Sequence, residues 1–137
     1  MIIFHSIIDL ILVAIIIAEV KIAIEFPMYS KPMNQKLFHG VGFAIESVLF
    51  IGVILFSRHW YDVIISICAF WNYFEVRSNY VHGKPLLYVG ESAMTDKLLR
   101  RIQKYVPFFK LDLHIATLLT MVYFCYLHYS DVALLLH

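Results

Sequence analysis

Apolar residues gather in four long runs separated by short polar connections, a pattern that predicts helices rather than alternating strands. The runs cover residues 1–26, 37–57, 60–76 and 111–136. A helix that crosses a bilayer needs about 20 mostly apolar residues. The third run is the shortest of the four. Pro27 and Pro32 bracket the first connection, because a proline pushes the residue before it out of helical geometry. Arg58 and His59 form the second connection.

Segment 77–110 has a different character. It opens with polar residues, a turn signal at His82-Gly83-Lys84-Pro85, and a further glycine at Gly90. Ser92 or Thr95 is placed to cap a short helix, with Asp96 favourable in its first turn. Leu98, Leu99, Ile102, Tyr105 and Val106 recur at helical spacing on one side, Lys97, Arg100, Arg101 and Lys104 fill the rest, and Pro107 ends the pattern. A basic amphipathic helix of this kind belongs at a membrane interface, with its cations at anionic headgroups.

Composition sharpens this picture. Apolar residues make up 61% of the 137 and charged residues 15%, against roughly 45–50% and about 25% in soluble domains. A chain this short buries a small fraction of its surface, so lipid is expected to cover what a protein core cannot. The predicted fold class is all-α: an integral membrane four-helix bundle, one domain over residues 1–137, with a short amphipathic interfacial helix between the third and fourth spans.

Charge then orients the bundle. Lys21, Lys31 and Lys36 flank or occupy the first connection, and Arg77, Lys84, Lys97, Arg100, Arg101, Lys104 and Lys110 fall in the third. Only Arg58 lies in the second. Ten of the eleven basic residues therefore share one side, which the positive-inside rule makes cytoplasmic. Both termini are expected on the other side, with loops 27–36 and 77–110 cytoplasmic. Lys21 follows the first apolar run instead of preceding it, the reverse of a cleavable leader, so the first helix is expected to remain in the mature protein. Trp60, Tyr61, Tyr29, Tyr105, Tyr126 and Tyr129 lie near the expected interfaces.

Ionisable residues inside the spans are the candidate chemistry, because in lipid they tend to face the bundle interior and find partners. His5 and Asp9 are one turn apart in the first span, which also holds Glu19. His39 and Glu46 share a face of the second span with Gly42, and Gly40, Gly42, Ala44 and Ser47 make it the small-residue helix. Asp62, Asn72 and Glu75 mark the third span, and Asp112, His114, His128 and Asp131 the fourth. Glu46, Asp9, Glu19 and His39 are the polar-core or transport candidates. Lys97, Arg100, Arg101 and Lys104 are the headgroup contacts.

His114 and His128 are 14 residues apart, close to four turns, so both project from one face of the fourth helix at different depths. Helices of b-type cytochromes present axial imidazoles to two haems in this way. His39, with either His5 or His59, would complete the ligand set. No glycines are evidently placed to admit a porphyrin, and no second helix repeats the spacing.

Cys68 and Cys125 sit in apolar runs and form no CxxC pair, so both are expected to be inert. No nucleophile elbow, phosphate loop or clustered metal-ligand motif occurs. The basic segment beside a bilayer points to lipid rather than nucleic acid. The leading expectation is a small non-enzymatic membrane protein without a cofactor, an accessory or interaction subunit of a larger assembly. A proton or cation channel built as a homo-oligomer is one alternative, and a haem b electron-transfer subunit is another.

Overall fold

The computed structural model describes residues 6–29, 35–57, 59–89 and 94–135. Within them the chain forms helices α1 (Ile7–Tyr29), α2 (Gln35–Phe56), α3 (Trp60–Val81), α4 (Met94–Gln103) and α5 (Phe109–Leu135), with no strand among the described residues. The all-α expectation is met. His5, the His5–Asp9 pair, Ser92 and Gly90 lie outside the described residues, as does the side chain of His39.

Helix ends follow local chemistry more closely than hydrophobicity. At the start of α1, Ser6 and Asp9 form a reciprocal cap. The Ser6 amide donates to Asp9 Oδ2 at 3.2 Å, and the Asp9 amide donates to Ser6 Oγ at 3.2 Å. Such a cap contributes about 1 kcal/mol. The helix then passes through Pro27 to Tyr29. Proline forfeits one intrahelical bond, but its backbone angle is already helical, so the break expected there falls later. Likewise α3 continues to Val81 and not only to residue 76. Gly83 stops it, at φ +63°, a conformation costly for any residue with a Cβ. Helix α4 starts before Thr95, which is therefore inside it and not its cap, and it ends at Gln103, ahead of Pro107.

Helix α3 occupies the centre. It packs against α1 on one side and α5 on the other; α2 leans on α1 and, less extensively, on α3, while α4 rests against α5. Ala14, Ile17 and Ala18 of α1 meet Ala69 and Phe70 of α3 and Val53 of α2 in a buried apolar cluster. Alanines on α1 allow close approach, and Phe70 fills the remaining space, edge-on to Phe50 at 5.3 Å.

The outer surface is conspicuously apolar. Ile8, Leu12, Ile16 and Val20 form an exposed stripe along α1, and Phe43, Val48, Ile51, Ile54 and Leu55 cover the outside of α2. Soluble monomers rarely expose apolar patches beyond a few hundred Å².

Among the described residues, one helical stretch, Phe109–Asp131, is both long and apolar enough to cross a membrane. The apolar part of α2, Gly40–Phe56, is shorter. Asp9, Glu19, Lys21 and Glu25 interrupt α1, and Asn72, Glu75, Arg77 and Asn79 populate the second half of α3. The four apolar runs thus do not all become uninterrupted apolar helices, because ionisable residues are threaded through them.

Replacing Ala18, fully buried at the α1–α3 seam, with leucine should overpack it and cost about 1–3 kcal/mol. Leucine at outward-facing Ile16 should change stability by less than about 0.5 kcal/mol. Thermal unfolding followed by circular dichroism measures both.

Candidate functional site

The buried polar side chains collect along the seams between helices. One polar seam joins α3 to α5, which run antiparallel. At one end the Asp62 carboxylate (0% exposed) accepts from His128 Nδ1 at 2.8 Å through Oδ1 and from the His59 backbone amide at 3.0 Å through Oδ2. Asp62 therefore caps α3 and holds α5 at once. Tyr61 donates to Asp131 beside it. The His59 ring stacks on Tyr61 at 4.9 Å and stands perpendicular to His128 at 6.3 Å.

Toward the other end of the seam, Asn72 is fixed from three directions. Its Nδ2 donates to the Cys68 carbonyl and to Thr117 Oγ1, both at 2.9 Å, so its Oδ1 is the atom that faces His114 Nδ1 at 2.8 Å. That orientation places the imidazole proton on Nδ1 and leaves the lone pair on Nε2. His114 is only 7% exposed, its ring lies 4.5 Å from Trp71, and its Nε2 is buried without a hydrogen-bond partner. One turn earlier Lys110, 1% exposed, gives its ammonium to Glu75 at 2.8 Å and to the Tyr88 carbonyl.

A second seam ties α1 to α2 and α3. Lys21 pairs with Glu46 across α2 and lies 3.8 Å from Glu25 on its own helix. Its ammonium sits 4.1 Å from the Phe74 ring centre, a cation–π contact in a partly desolvated place. Gly42 leaves room for this group, since a Cβ there would collide with the Glu25 carboxylate. Glu19 accepts from Tyr73 at 2.5 Å and from Arg77 Nε at 2.9 Å. These ionic contacts, with Glu75–Lys110, all lie toward the end of the molecule that carries α4.

At that end the link between α3 and α4 is clamped by side chains from three helices. Asn79 of α3 donates to the Leu86 and Tyr88 carbonyls, Lys110 of α5 to the Tyr88 carbonyl, and Arg100 of α4 to the Val89 carbonyl at 3.1 Å. The segment Leu86–Val89 is thus a structural anchor. Lys97, Arg101 and Lys104 point to the exterior, next to exposed Leu98, Tyr105 (84% exposed) and Phe108.

Three of the four transport candidates, Asp9, Glu19 and Glu46, are held by different partners. Asp9 caps α1, Glu19 is held by Tyr73 and Arg77, Glu46 is held by Lys21, and the His39 side chain lies outside the described residues. Of the haem candidates, His114 and His128 do share the α3-facing side of α5, and His59 adjoins His128, while His5 and the side chain of His39 lie outside the described residues. Among the headgroup candidates Arg100 turns inward to Val89. Of the small residues on α2, Gly42 makes the close approach, while Gly40 and Ala44 are exposed. Among the described residues no group of three or more His, Cys, Asp or Glu side chains is placed to hold a metal ion.

The residues that sequence reasoning missed are the partners: Lys21 for Glu46, Lys110 for Glu75, Asn72 for His114 and Asp62 for His128. One signal for them is present. Asn72 and Glu75 are a turn apart on α3, as are Lys110 and His114 on α5, so antiparallel packing matches both pairs at once. Compared with known proteins, the chain matches no family model, no curated protein and no solved structure.

Removing one partner of a buried ion pair leaves an uncompensated charge, at a cost of about 3–5 kcal/mol when both are buried. Glu75 is partly exposed, so Glu75→Gln should fall at or below the lower end of that range. Adding Lys110→Met to it should recover most of the loss. Thermal melts of the single and double variants decide this; equal melting points for the wild type and Glu75→Gln would deny the pair a role in stability.

Proposed function

We propose that the chain is an integral membrane protein in which α1, α2, α3 and α5 cross the bilayer and α4 lies on its cytoplasmic surface. In this reading both termini are non-cytoplasmic, loops 27–36 and 77–110 are cytoplasmic, and the protein serves as an accessory or interaction subunit of a membrane assembly. The observation that carries it is the inverted distribution of polarity. Apolar side chains cover the outside of α1 and α2, while Lys21, Asp62, Lys110, His114 and His128 are withdrawn between helices. Water would favour the opposite arrangement, and hydrocarbon favours this one.

Two further features support the reading. The exposed cations Lys97 and Arg101 of α4, and Lys104 just after it, adjoin exposed Leu98 and Tyr105, a combination suited to anionic headgroups above an acyl boundary. Lys21, Asp62 and Lys110 are each paired into ties between helices, which favours a scaffolding role over conduction.

Alkaline carbonate should leave the protein in the membrane pellet. Cysteines introduced at Lys97 and at His137 should react with an impermeant maleimide from opposite sides. Release into the supernatant, or labelling of both from one side, would remove the four-span reading. Crosslinking in native membranes tests the accessory role, and recovery of no partner, neither another protein nor a second copy, would count against it.

A second reading, a b-type haem subunit, has one observation in its favour. His114 and His128 both commit Nδ1 to an acceptor on α3, the arrangement that orients a metal-ligating imidazole through its other nitrogen, and Nε2 of His114 is without a partner. A reduced-minus-oxidised absorption spectrum of the purified protein from haem-replete cells tests it. Sharp α-bands that vanish in His114→Ala support this reading; a featureless spectrum removes it.

A further inference from the structure

At the end of the α3–α5 seam away from α4, one carboxylate positions two histidines. Asp62 is fully buried. Its Oδ1 accepts from His128 Nδ1 at 2.8 Å, and its Oδ2 accepts from the His59 backbone amide at 3.0 Å. With Nδ1 donating, a neutral His128 keeps its lone pair on Nε2. A carboxylate on one ring nitrogen is the device that fixes the tautomer and ring plane of a histidine whose other nitrogen binds a metal. His128 itself is 4% exposed.

His59 supplies a second imidazole. Its Nε2 is buried and has no hydrogen-bond partner among the described residues. The Asp62 amide reaches the His59 carbonyl at 3.1 Å, so the His59 ring is not needed to cap it. That ring lies parallel to Tyr61 at 4.9 Å. Its centre is 6.3 Å from the centre of the His128 ring, with the two planes at 85°. Metal–imidazole bonds of about 2 Å put two rings on opposite sides of one ion with their centres roughly 6 Å apart. The observed separation is that of near-linear coordination.

We propose that His59 and His128 bind a single cuprous ion through their Nε2 atoms, with Asp62 as the positioning carboxylate. The number of ligands selects the metal. Structural zinc takes four, and among the described residues no group of three or more His, Cys, Asp or Glu is placed to hold an ion. Imidazole suits copper, and Cu(I), closed-shell and monovalent, is stable with two nitrogens in line. Its single positive charge sits beside the Asp62 carboxylate, which offsets part of the cost of holding it away from water. The site needs neither a bilayer nor a porphyrin, so it stands apart from both readings above.

The test is a titration of the purified full chain with Cu(I), free of oxygen, against the colorimetric chelator bicinchoninate. The wild type should take one ion per chain, and X-ray absorption should show nitrogen around the copper and no sulfur. His59→Ala and His128→Ala should each weaken binding at least a hundredfold, and Asp62→Asn by about ten- to a hundredfold. His114→Ala should bind as the wild type does. The His59 ring has no hydrogen bond at Nε2 to lose, so its alanine variant should keep the helical circular dichroism and decides the matter even if His128→Ala fails to fold. Copper left with the chelator by the wild type, an ion retained in His59→Ala, or sulfur from Cys68 or Cys125 around the metal overturns the proposal.

Discussion

An ammonium or carboxylate removed from solvent is tolerable only with a partner, and that constraint organises this molecule. Lys110 is almost entirely enclosed, and it reaches both Glu75 on α3 and the Tyr88 carbonyl beyond it. Lys21 does the same between α1 and α2, and Asp62 between α3 and α5. Each partner belongs to a different helix, so satisfying the group also fixes the distance and register of the two helices. Uncompensated, any one of these charges would cost several kcal/mol.

The position of α3 follows from this. It carries Asp62, Asn72 and Glu75 toward α5, and Tyr73 and Arg77 toward α1. Its apolar middle, Ala69 and Phe70, closes on the alanines of α1. The result is an apolar waist between two polar ends. One end holds a carboxylate shared by a histidine and a helix cap. The other holds most of the ionic pairs and the clamped turn that seats α4. Polar ties at both ends and close packing between them hold the helices in register.

The arrangement also separates residues that sequence spacing alone groups together. Asp9, Glu19 and Glu46 look like a set when each is taken as an acid within an apolar run. In the fold each serves a separate local purpose: a helix cap, a tie to α3 and a tie to Lys21. His114 and His128 remain a pair in the sense that both face α3, yet their acceptors differ. One is a neutral amide and the other a carboxylate, and only the first histidine has a buried nitrogen with nothing to bond.

Much of the helical plan was legible in the chain itself. Long apolar runs require helices wherever strands would expose backbone, so the number and approximate extent of α1, α2, α3 and α5 follow from residue pattern. Gly83 and the charged face of α4 are equally local signals. The 14-residue spacing placed His114 and His128 on one face because helical pitch admits no other outcome. What the chain could not disclose was which elements would be neighbours. Glu46 gains its meaning from Lys21, Glu75 from Lys110 and His128 from Asp62, and those partners are 25, 35 and 66 residues apart. Nor could it show that Arg100, outwardly one more cation on a basic helix, folds back onto the Val89 carbonyl. Pitch and hydrophobicity act over a few residues and are written in sequence order. The cost of a buried charge is settled by whatever lies within a few ångströms in space, and only the tertiary structure decides that.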